Sequence, residues 1–584
     1  MCGIFGYIGN DNAICRVISG LEKLEYRGYD SAGLAYVKQG EIKTIKSIGK
    51  VENLKISSCA ISSKISIAHT RWATHGSATE KNCHPHTSEN FAVVHNGIIE
   101  NFEDLKRKLN YEFYSETDTE VVAKLLEEKY RECKKKFKVE NAVLHTIKET
   151  QDCLKGSWAI ALICKLDPKK IYVFKNKSPI VVGIGKNESC VSSDINAIES
   201  DEFNFYNLED GNIAVVKQDD VKFYDKDLNP TKLERIRQVK NEYFEDEIFS
   251  HKMIKEINEI PFSIRETAKI LDSDEFITLS KRFKKFKEIT IIGCGTAYHA
   301  GLYGKYILEK YVGKKVDVVL ASEYRYKTKI KSENELVIAI SQSGETADTL
   351  AGVILAKESG ATTVAITNVS SSSITRECNF TLLTNAGPER AVAATKSYVC
   401  QIYVLYLLAC KIINKTPQGD LDRITEKFLK AFNGKFFEKY YSKQKFFFIG
   451  RLCDSSTAFE GALKLKEIAY VHSEGYPAGE LKHGTLSLVD EKSLVVAILT
   501  QNLIKEKTLN AVHEVLARGA DVILITQFHD IDFSGDIITL PNVCQDIAPL
   551  VSVIPLQLFS YHYAIAKGLN PDMPRHLAKS VTVE

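Results

Sequence analysis

The chain opens Met1-Cys2-Gly3-Ile4-Phe5-Gly6-Tyr7-Ile8-Gly9, and the fold of its first third depends on how those residues are read. Cysteine is small enough for Met1 to be trimmed, which leaves Cys2 with a free α-amine beside its thiol. An α-amine titrates near pH ~7.7–8.0, so at neutral pH an appreciable fraction can take a proton from the attacking group. Gly3 and Gly6 alternate with Ile4, Phe5 and Ile8, the pattern of a buried strand whose backbone lies close to something else. The competing reading is an ordinary first strand carrying an incidental cysteine, and the residues downstream decide between them.

Outward from that strand, residues 13–25 carry helical apolar spacing through Ile14, Val17, Ile18, Leu21 and Leu24, and end in the turn-rich Tyr26-Arg27-Gly28-Tyr29-Asp30-Ser31. Short apolar runs at Ala32–Val37, Ile65–Ala68, Phe91–Val94, Trp158–Cys164 and Ile180–Ile184 read as strands, and Asp118–Tyr130 as a helix. The first two hundred residues thus predict an α+β sandwich of mainly antiparallel strands. From Lys217 to Phe249 the composition turns charged and aperiodic, which reads as a linker. After residue 280 the pattern becomes Ile/Val/Phe strands alternating with long helices, the mark of doubly wound parallel α/β sheets. Glu288-Ile-Thr-Ile-Ile-Gly293-Cys294-Gly295-Thr296 and Lys445-Phe-Phe-Phe-Ile-Gly450-Arg451 are two similar strand-to-glycine-turn openings, as an internal duplication would leave.

At 584 residues the chain exceeds one hydrophobic core, so two or three domains are expected. With a net charge of +2, nothing points to a nucleic-acid or membrane partner. No apolar run reaches a membrane span and no signal-peptide layout is present, so the expected location is cytoplasmic. The 14 cysteines lack CxxC spacing and read as free thiols of a reducing compartment.

The chemistry-bearing stretches follow strands. His69-Thr70-Arg71-Trp72-Ala73-Thr74-His75-Gly76 supplies an arginine suited to bidentate capture of a carboxylate. Phe91-Ala-Val-Val-His95-Asn96-Gly97 ends in an amide and a glycine N–H that can donate to a developing oxyanion. Ser115-Glu116-Thr117-Asp118 precedes a helix, which leaves Asp118 open to two readings, a cap or the partner of a substrate ammonium. Cys83-His84-Pro85-His86, with His75 upstream, offers metal-type ligands, but the spacing suits no closed zinc site and no metal is expected. In the second half, Leu336-Val-Ile-Ala-Ile-Ser341-Gln342-Ser343-Gly344-Glu345-Thr346 is a buried strand running into hydroxyls and a glycine, with a helix expected from about Ala347. Such a turn is a phosphate cradle, and without a P-loop lysine it suits a small sugar phosphate better than ATP.

The Cys2-Gly-Ile-Phe-Gly start, Tyr26-Arg-Gly-Tyr-Asp-Ser-Ala-Gly, Thr70-Arg-Trp-Ala-Thr-His-Gly and His95-Asn-Gly resemble a class II glutamine amidotransferase domain, an N-terminal-nucleophile fold. The resemblance implies Cys2 as nucleophile with its own amine as base. It implies Asn96 and Gly97 as oxyanion hole, Arg71 and Asp118 on the α-carboxylate and α-amine of glutamine, and Trp72–His84 as a mobile lid with Trp72, Thr74 and His75 at the substrate. The Ser341–Thr346 turn, Leu463-Lys464-Leu465-Lys466-Glu467, Glu480-Leu481-Lys482-His483-Gly484 and the end Pro574-Arg575-His576-Leu577-Ala578-Lys579-Ser580-Val581-Thr582-Val583-Glu584 resemble the sugar isomerase half of the glutamine:fructose-6-phosphate aminotransferase family. What this implies is a ring-opening His483, a Schiff base on Lys579, Glu467 moving a proton between the first two sugar carbons, and no pyridoxal or other cofactor. Thr296, Ser341, Gln342, Ser343, Thr346, Lys464 and Ala578 would line the sugar phosphate, and the partners would be glutamine, fructose 6-phosphate and a second copy in a homodimer.

The resemblance divides the chain into a glutaminase domain at 1–216, a linker at 217–250, sugar isomerase domains at 251–425 and 426–569, and a C-terminal tail at 570–584. Ala297 where many relatives carry a hydroxyl, Pro388 and Arg390 in the Gly387–Lys396 loop, and Thr485 after Gly484 depart from the family pattern. Two rivals lack their signatures. An amidotransferase with another acceptor needs a pyrophosphate loop or a Ser-Gly-Gly adenylation motif, and a sugar-phosphate sensor has no use for Cys2 or Lys579.

Overall fold

Strand Gly3–Gly9 is buried along all seven residues because it has a layer on each side. Ile4 and Ile8 face one core and Phe5 and Tyr7 another. The structure is a computed structural model that describes residues 2–72, 76–198, 203–236, 249–328, 331 and 333–582. Thr74 and His75 therefore lie outside the described residues. The chain forms two units, residues 1–240 with 580–584, and residues 241–579.

In the first unit, Gly3–Gly9 sits inside an eight-stranded sheet between Glu188–Ser192 and Ile65–Arg71, antiparallel to both. A seven-stranded sheet holding Phe91–Ile99, Gly156–Cys164 and Asp167–Asn176 packs on it through Ile4, Ile67, Val94, Ala161 and Val173. Helix Ala13–Leu24 covers the outer face of the first sheet, and helices Asp118–Cys133 and Val139–Cys153 cover the second. Gly20 lets the first helix lie directly on Phe5, since a Cβ there would come within 2.3 Å of the ring. The result is the expected α+β sandwich, helix on sheet on sheet on helix.

The strands do not stop at Lys217. Val221–Tyr224, Pro230–Thr231 and Arg235–Ile236 join the edges of the two sheets. Edge strands alternate charged and apolar residues, which made them look like linker in composition. Residues 237–248 of the expected linker lie outside the described residues.

The second unit holds two five-stranded, all-parallel sheets of one topology. The first runs Val316–Leu320, Glu288–Gly293, Glu335–Ile340, Thr362–Thr367, Phe380–Leu383, and the second Ser473–Pro477, Lys445–Gly450, Ser493–Leu499, Asp521–Thr526, Asp536–Thr539. Helices Thr296–Val312, Lys396–Ile412, Cys453–Ala469 and Ala548–Ala566 fill one continuous core with both sheets. Helix Leu421–Ala431 runs through the boundary expected at 425/426 and packs on the helix at Ile260–Ala268, so the second repeat starts after Ala431. No helix among the described residues is long and apolar enough to cross a membrane.

Candidate functional sites

Pairing of Ile65–Arg71 with Gly3–Gly9 sets Thr70 opposite Gly3 and carries Arg71 and Trp72 to the start of the chain. The Trp72 N–H donates to Cys2 Sγ at 3.3 Å. Burial pushes the Cys2 thiol up from its ordinary value, so the sulfur is a thiol at neutral pH and needs a base to attack. Asn96 Nδ2 donates to the Cys2 carbonyl at 3.0 Å and to Ser193 Oγ at 2.8 Å, while Ser193 Oγ also accepts from the Ile4 N–H at 2.8 Å. The other end of the amide is held by His69, whose Nε2 lies 3.1 Å from Asn96 Oδ1 and 2.9 Å from the His95 carbonyl. Burial depresses His69 to about 3, so the ring is neutral. Both neighbours of Nε2 are acceptors, which places the proton there and leaves Nδ1 bare, as its lack of a hydrogen-bond partner requires.

Gly97 follows with φ +133°, and a Cβ on it would lie 2.0 Å from the Ser157 carbonyl oxygen; only glycine can stand there. Arg71 is buried and donates to the Gly76 and Ser77 carbonyls at 2.9 and 3.2 Å. Asp118 opens the helix Asp118–Cys133, and its Oδ2 accepts from the Ile99 N–H at 2.8 Å. Cys2, Arg71 and Trp72 thus stand at strand ends and Asp118 at a helix start, whereas Asn96 and Gly97 do not end their strand as expected: it runs on to Ile99, with Asn96 paired to Ala159 and Gly97 to Trp158. Missed from the sequence were His69, quoted only as the start of a stretch, and Ser193, which has no local signal.

Of the stretch Trp72–His84, expected to be a mobile lid, the far end is packed into the core. Asn82, Cys83 and His84 are buried, and His84 stacks on His69 with ring centroids 4.0 Å apart. His86 Nε2 pairs with Thr117 Oγ1 at 3.0 Å, and Cys83 Sγ donates to the Thr79 carbonyl at 3.2 Å. These side chains are core members with partners of their own.

In the second unit, the strands Glu288–Gly293 and Glu335–Ile340 are neighbours whose chains leave in opposite directions across the sheet, the place where such sheets bind ligands. Ser341–Thr346 follows the second strand, and the helix Ala347–Glu358 begins where expected. Ser341 Oγ lies 2.9 Å from Thr346 Oγ1 and accepts from the Gly344 N–H at 3.1 Å; the Glu345 N–H donates to Ser343 Oγ at 3.2 Å. Gly344 has φ +64° and touches Ser372 so closely that a Cβ is excluded.

Thr296, at the first turn of its helix, donates to Glu460 Oε1 at 2.9 Å and accepts from Lys464 Nζ at 3.1 Å. Lys464 is fully buried between Glu460 at 3.3 Å and Glu467 at 2.6 Å, residues that its own helix places at i−4 and i+3. Burial alone would lower the Lys464 ammonium, but the two carboxylates outweigh it and hold it above the usual lysine range. Burial raises Glu467, with Lys464 pulling the other way. Lys579, nearly buried, donates to the fully buried Glu389 at 2.5 Å, and its charge is felt at Glu467. His483 lies apart: it ends the short helix Glu480–His483, exposed, and among the described residues it makes no hydrogen bond or ion pair to this cluster. Ala578 is half-buried and Gln342 serves the loop through its carbonyl, which accepts from the Asn368 N–H at 3.1 Å. Glu460 and Glu389 were missed. Glu460 was legible as one helical turn from Lys464; Glu389 was hidden between the departures Pro388 and Arg390.

Among the described residues, no group of three or more His, Cys, Asp or Glu side chains is arranged to hold a metal ion. The model of the glutamine amidotransferase domain matches residues 69–200, and that of the SIS domain matches 282–411 and 439–567. The glutamine–fructose-6-phosphate aminotransferases (isomerizing) of Caldanaerobacter subterraneus subsp. tengcongensis and Aquifex aeolicus are 42% and 43% identical, each alignment covering 100% of both chains. The solved C-terminal domain of glucosamine-fructose-6-phosphate aminotransferase from Francisella tularensis is 36% identical with a TM-score of 0.52, covering 57% of this chain and 100% of that one.

Proposed function

The chain belongs to the glutamine–fructose-6-phosphate aminotransferase (isomerizing) family, and from that premise we propose which of its residues perform each step. The reaction moves the amide nitrogen of glutamine to fructose 6-phosphate and isomerises the product to glucosamine 6-phosphate, leaving glutamate.

In the first unit the Cys2 α-amine, freed by loss of Met1, takes the thiol proton as sulfur attacks the glutamine amide carbon. The oxyanion is met by Asn96 Nδ2 and the Gly97 N–H, the amide held in that sense by His69. The proton passes to the leaving nitrogen, ammonia departs, and water hydrolyses the thioester to glutamate. Arg71 and Asp118 hold the α-carboxylate and α-amine, with Trp72, Thr74 and His75 around the substrate. In the second unit the Ser341–Thr346 turn takes the sugar's phosphate, with Thr296, Gln342, Ser343 and Ala578 around it. His483 opens the ring, Lys579 condenses with the ketone, and ammonia displaces the lysine. Glu467, held upward by burial, then shuttles a proton between C1 and C2 beside Lys464.

The observation that carries the reading is that one chain holds both the Cys2–Asn96 arrangement and a hydroxyl-lined turn at the switch point of a parallel sheet. A homodimer rests on the family resemblance. A cytoplasmic location is supported by fourteen unpaired thiols. The test is mass analysis of products from amide-¹⁵N-glutamine and fructose 6-phosphate. Label in the amino sugar is expected; label released only as ammonia defeats the proposal.

A further inference from the structure

The loop at 387–396 and the C-terminal tail meet in a buried group of charges of which the steps above use only Lys579. Glu389 is fully buried and its oxygens have defined tasks. Oε1 accepts from the Thr395 and Ser397 N–H groups at 2.9 and 3.1 Å, and Oε2 accepts from Ser397 Oγ at 2.7 Å and from Lys579 Nζ at 2.5 Å. The carboxylate is therefore anchored on the first N–H groups of the seventeen-residue helix Lys396–Ile412 and cannot follow Lys579 if the lysine moves.

The other charged groups nearby are committed. Lys396 Nζ pairs with Glu259 at 2.6 Å, both buried. Glu256 accepts from the Arg390 and Ala391 N–H groups at 2.5 and 3.1 Å, and burial together with the Glu389 charge pushes its carboxyl above the usual carboxylate range. The tail is fixed on the same body: Asp572 accepts from the Lys252 and Met253 N–H groups, both at 2.8 Å, at the start of the helix that carries Glu256.

An ammonium cannot attack a ketone, and Lys579 rests as one against Glu389. We propose that Glu389 is a catalytic residue: it accepts the Lys579 proton for condensation with the sugar ketone and is the counter-ion of the iminium that results. The proposal rests on the reading of Lys579 as the Schiff-base residue. In the step, a proton passes from Nζ to Glu389 Oε2, and the Nζ lone pair bonds to C2 as the carbonyl π pair moves to oxygen. The addition oxygen takes a proton from nitrogen to give the carbinolamine. Its hydroxyl then leaves as water with the proton returned from Glu389, and the nitrogen lone pair forms C=N⁺H opposite the restored carboxylate. Burial favours the first transfer, because it converts a desolvated ion pair into a neutral amine and acid. Burial alone would raise Glu389; it is chiefly the Lys579 ammonium that holds it low, so the carboxylate becomes a better base as the lysine gives up its charge.

The test is borohydride trapping in the full-length enzyme with fructose 6-phosphate, reading the sugar adduct on the Lys579 peptide by mass. General acid–base help contributes about 10²–10⁴-fold, so Glu389→Gln is expected to slow adduct formation by at least about 100-fold. Glu389→Asp, with its carboxylate one methylene farther back, should recover part of the rate. A thermal shift on adding the sugar phosphate shows that the second unit of each variant is folded and occupied, which a purely structural defect would abolish. Trapping of Glu389→Gln at the wild-type rate overturns the proposal. If Glu389→Gln does not melt cooperatively, Glu389→Asp decides, with wild-type trapping against the proposal and a tenfold or greater loss for it. No adduct on Lys579 in the wild-type enzyme, or an adduct on Lys464 or Lys482, instead overturns the Schiff-base reading beneath it.

Discussion

The two repeats of the second unit share a frame and differ in what fills it. After the first strand of each, the chain turns through Gly295 (φ 52°, ψ −123°) or Leu452 (φ 54°, ψ −130°) into a long helix. Four residues beyond Gly293 stands Ala297, and four beyond Gly450 stands Asp454. In the first repeat, the hydroxyls of the neighbouring turn satisfy one another, Ser341 with Thr346. In the second, the corresponding Thr500 gives both its N–H, at 2.8 Å, and its hydroxyl, at 2.5 Å, to the Asp454 carboxylate. A side-chain anion thus takes up in the second repeat the donors that in the first are turned on one another. Duplication keeps the sheet and its switch point, while one carboxylate separates the second copy from the turn proposed to take the phosphate in the first.

The largest effect is expected from making the first repeat like the second. Ala297→Asp should place a carboxylate beside Ser341, where it would both occupy the turn and repel a phosphate. Two like charges in a partly desolvated site cost several kcal/mol, so sugar-phosphate binding should weaken by about 100-fold or more. Calorimetric titration with fructose 6-phosphate reads it. Unchanged affinity would mean that the positions are not equivalent and would break the comparison.

A smaller effect should appear as pH dependence of the second repeat. Burial raises Asp454 from its usual range to about 6, against the pull of Thr500. For an acid whose folded pKa is raised, the native state holds the proton more tightly than the unfolded chain. The stabilisation is therefore complete below pH ~4 and lost as pH rises through about 6. The shift corresponds to on the order of 2–3 kcal/mol. In Asp454→Asn that slope should vanish, so thermal melts at pH 4.5 and 7 should differ more for the wild type than for the variant. An identical slope in both would show that another group sets it.

How much of this was legible follows from the range of each contact. Cys2, Arg71 and Asp118 could be read because each sits at the end of a strand or the start of a helix, and those ends are marked by local pattern; Asn96, inside the strand Phe91–Ile99, was carried by its motif. Ser193 could not, because it reaches Asn96 across 97 residues through strand pairing that sets Phe5 opposite Ser192. The Lys464–Glu467 pair is a helix spacing and was visible; Lys579 against Glu389 spans 190 residues and was not. The parallel sheets were plain from their apolar strands, whereas the edge strands after Lys217 were lost in charge. His483 was placed by likeness alone, and within this chain it stands away from the buried cluster.

The smallest effect concerns the shared turn itself. Gly295 adopts its backbone at no cost, but Leu452 holds the same dihedrals with a Cβ, in a region that is essentially glycine's. The residue is 43% exposed, so little packing offsets the strain. Such a residue costs of order 1–3 kcal/mol, while a glycine introduced there returns about 0.5–1 kcal/mol to the unfolded chain as entropy. Leu452→Gly should therefore stabilise the protein by about 1 kcal/mol, and Gly295→Ala should destabilise it in the opposite sense, both read as shifts in thermal midpoint. If Leu452→Gly lowers the midpoint instead, the leucine's contacts outweigh the strain, and the two turns are alike in shape but not in what holds them.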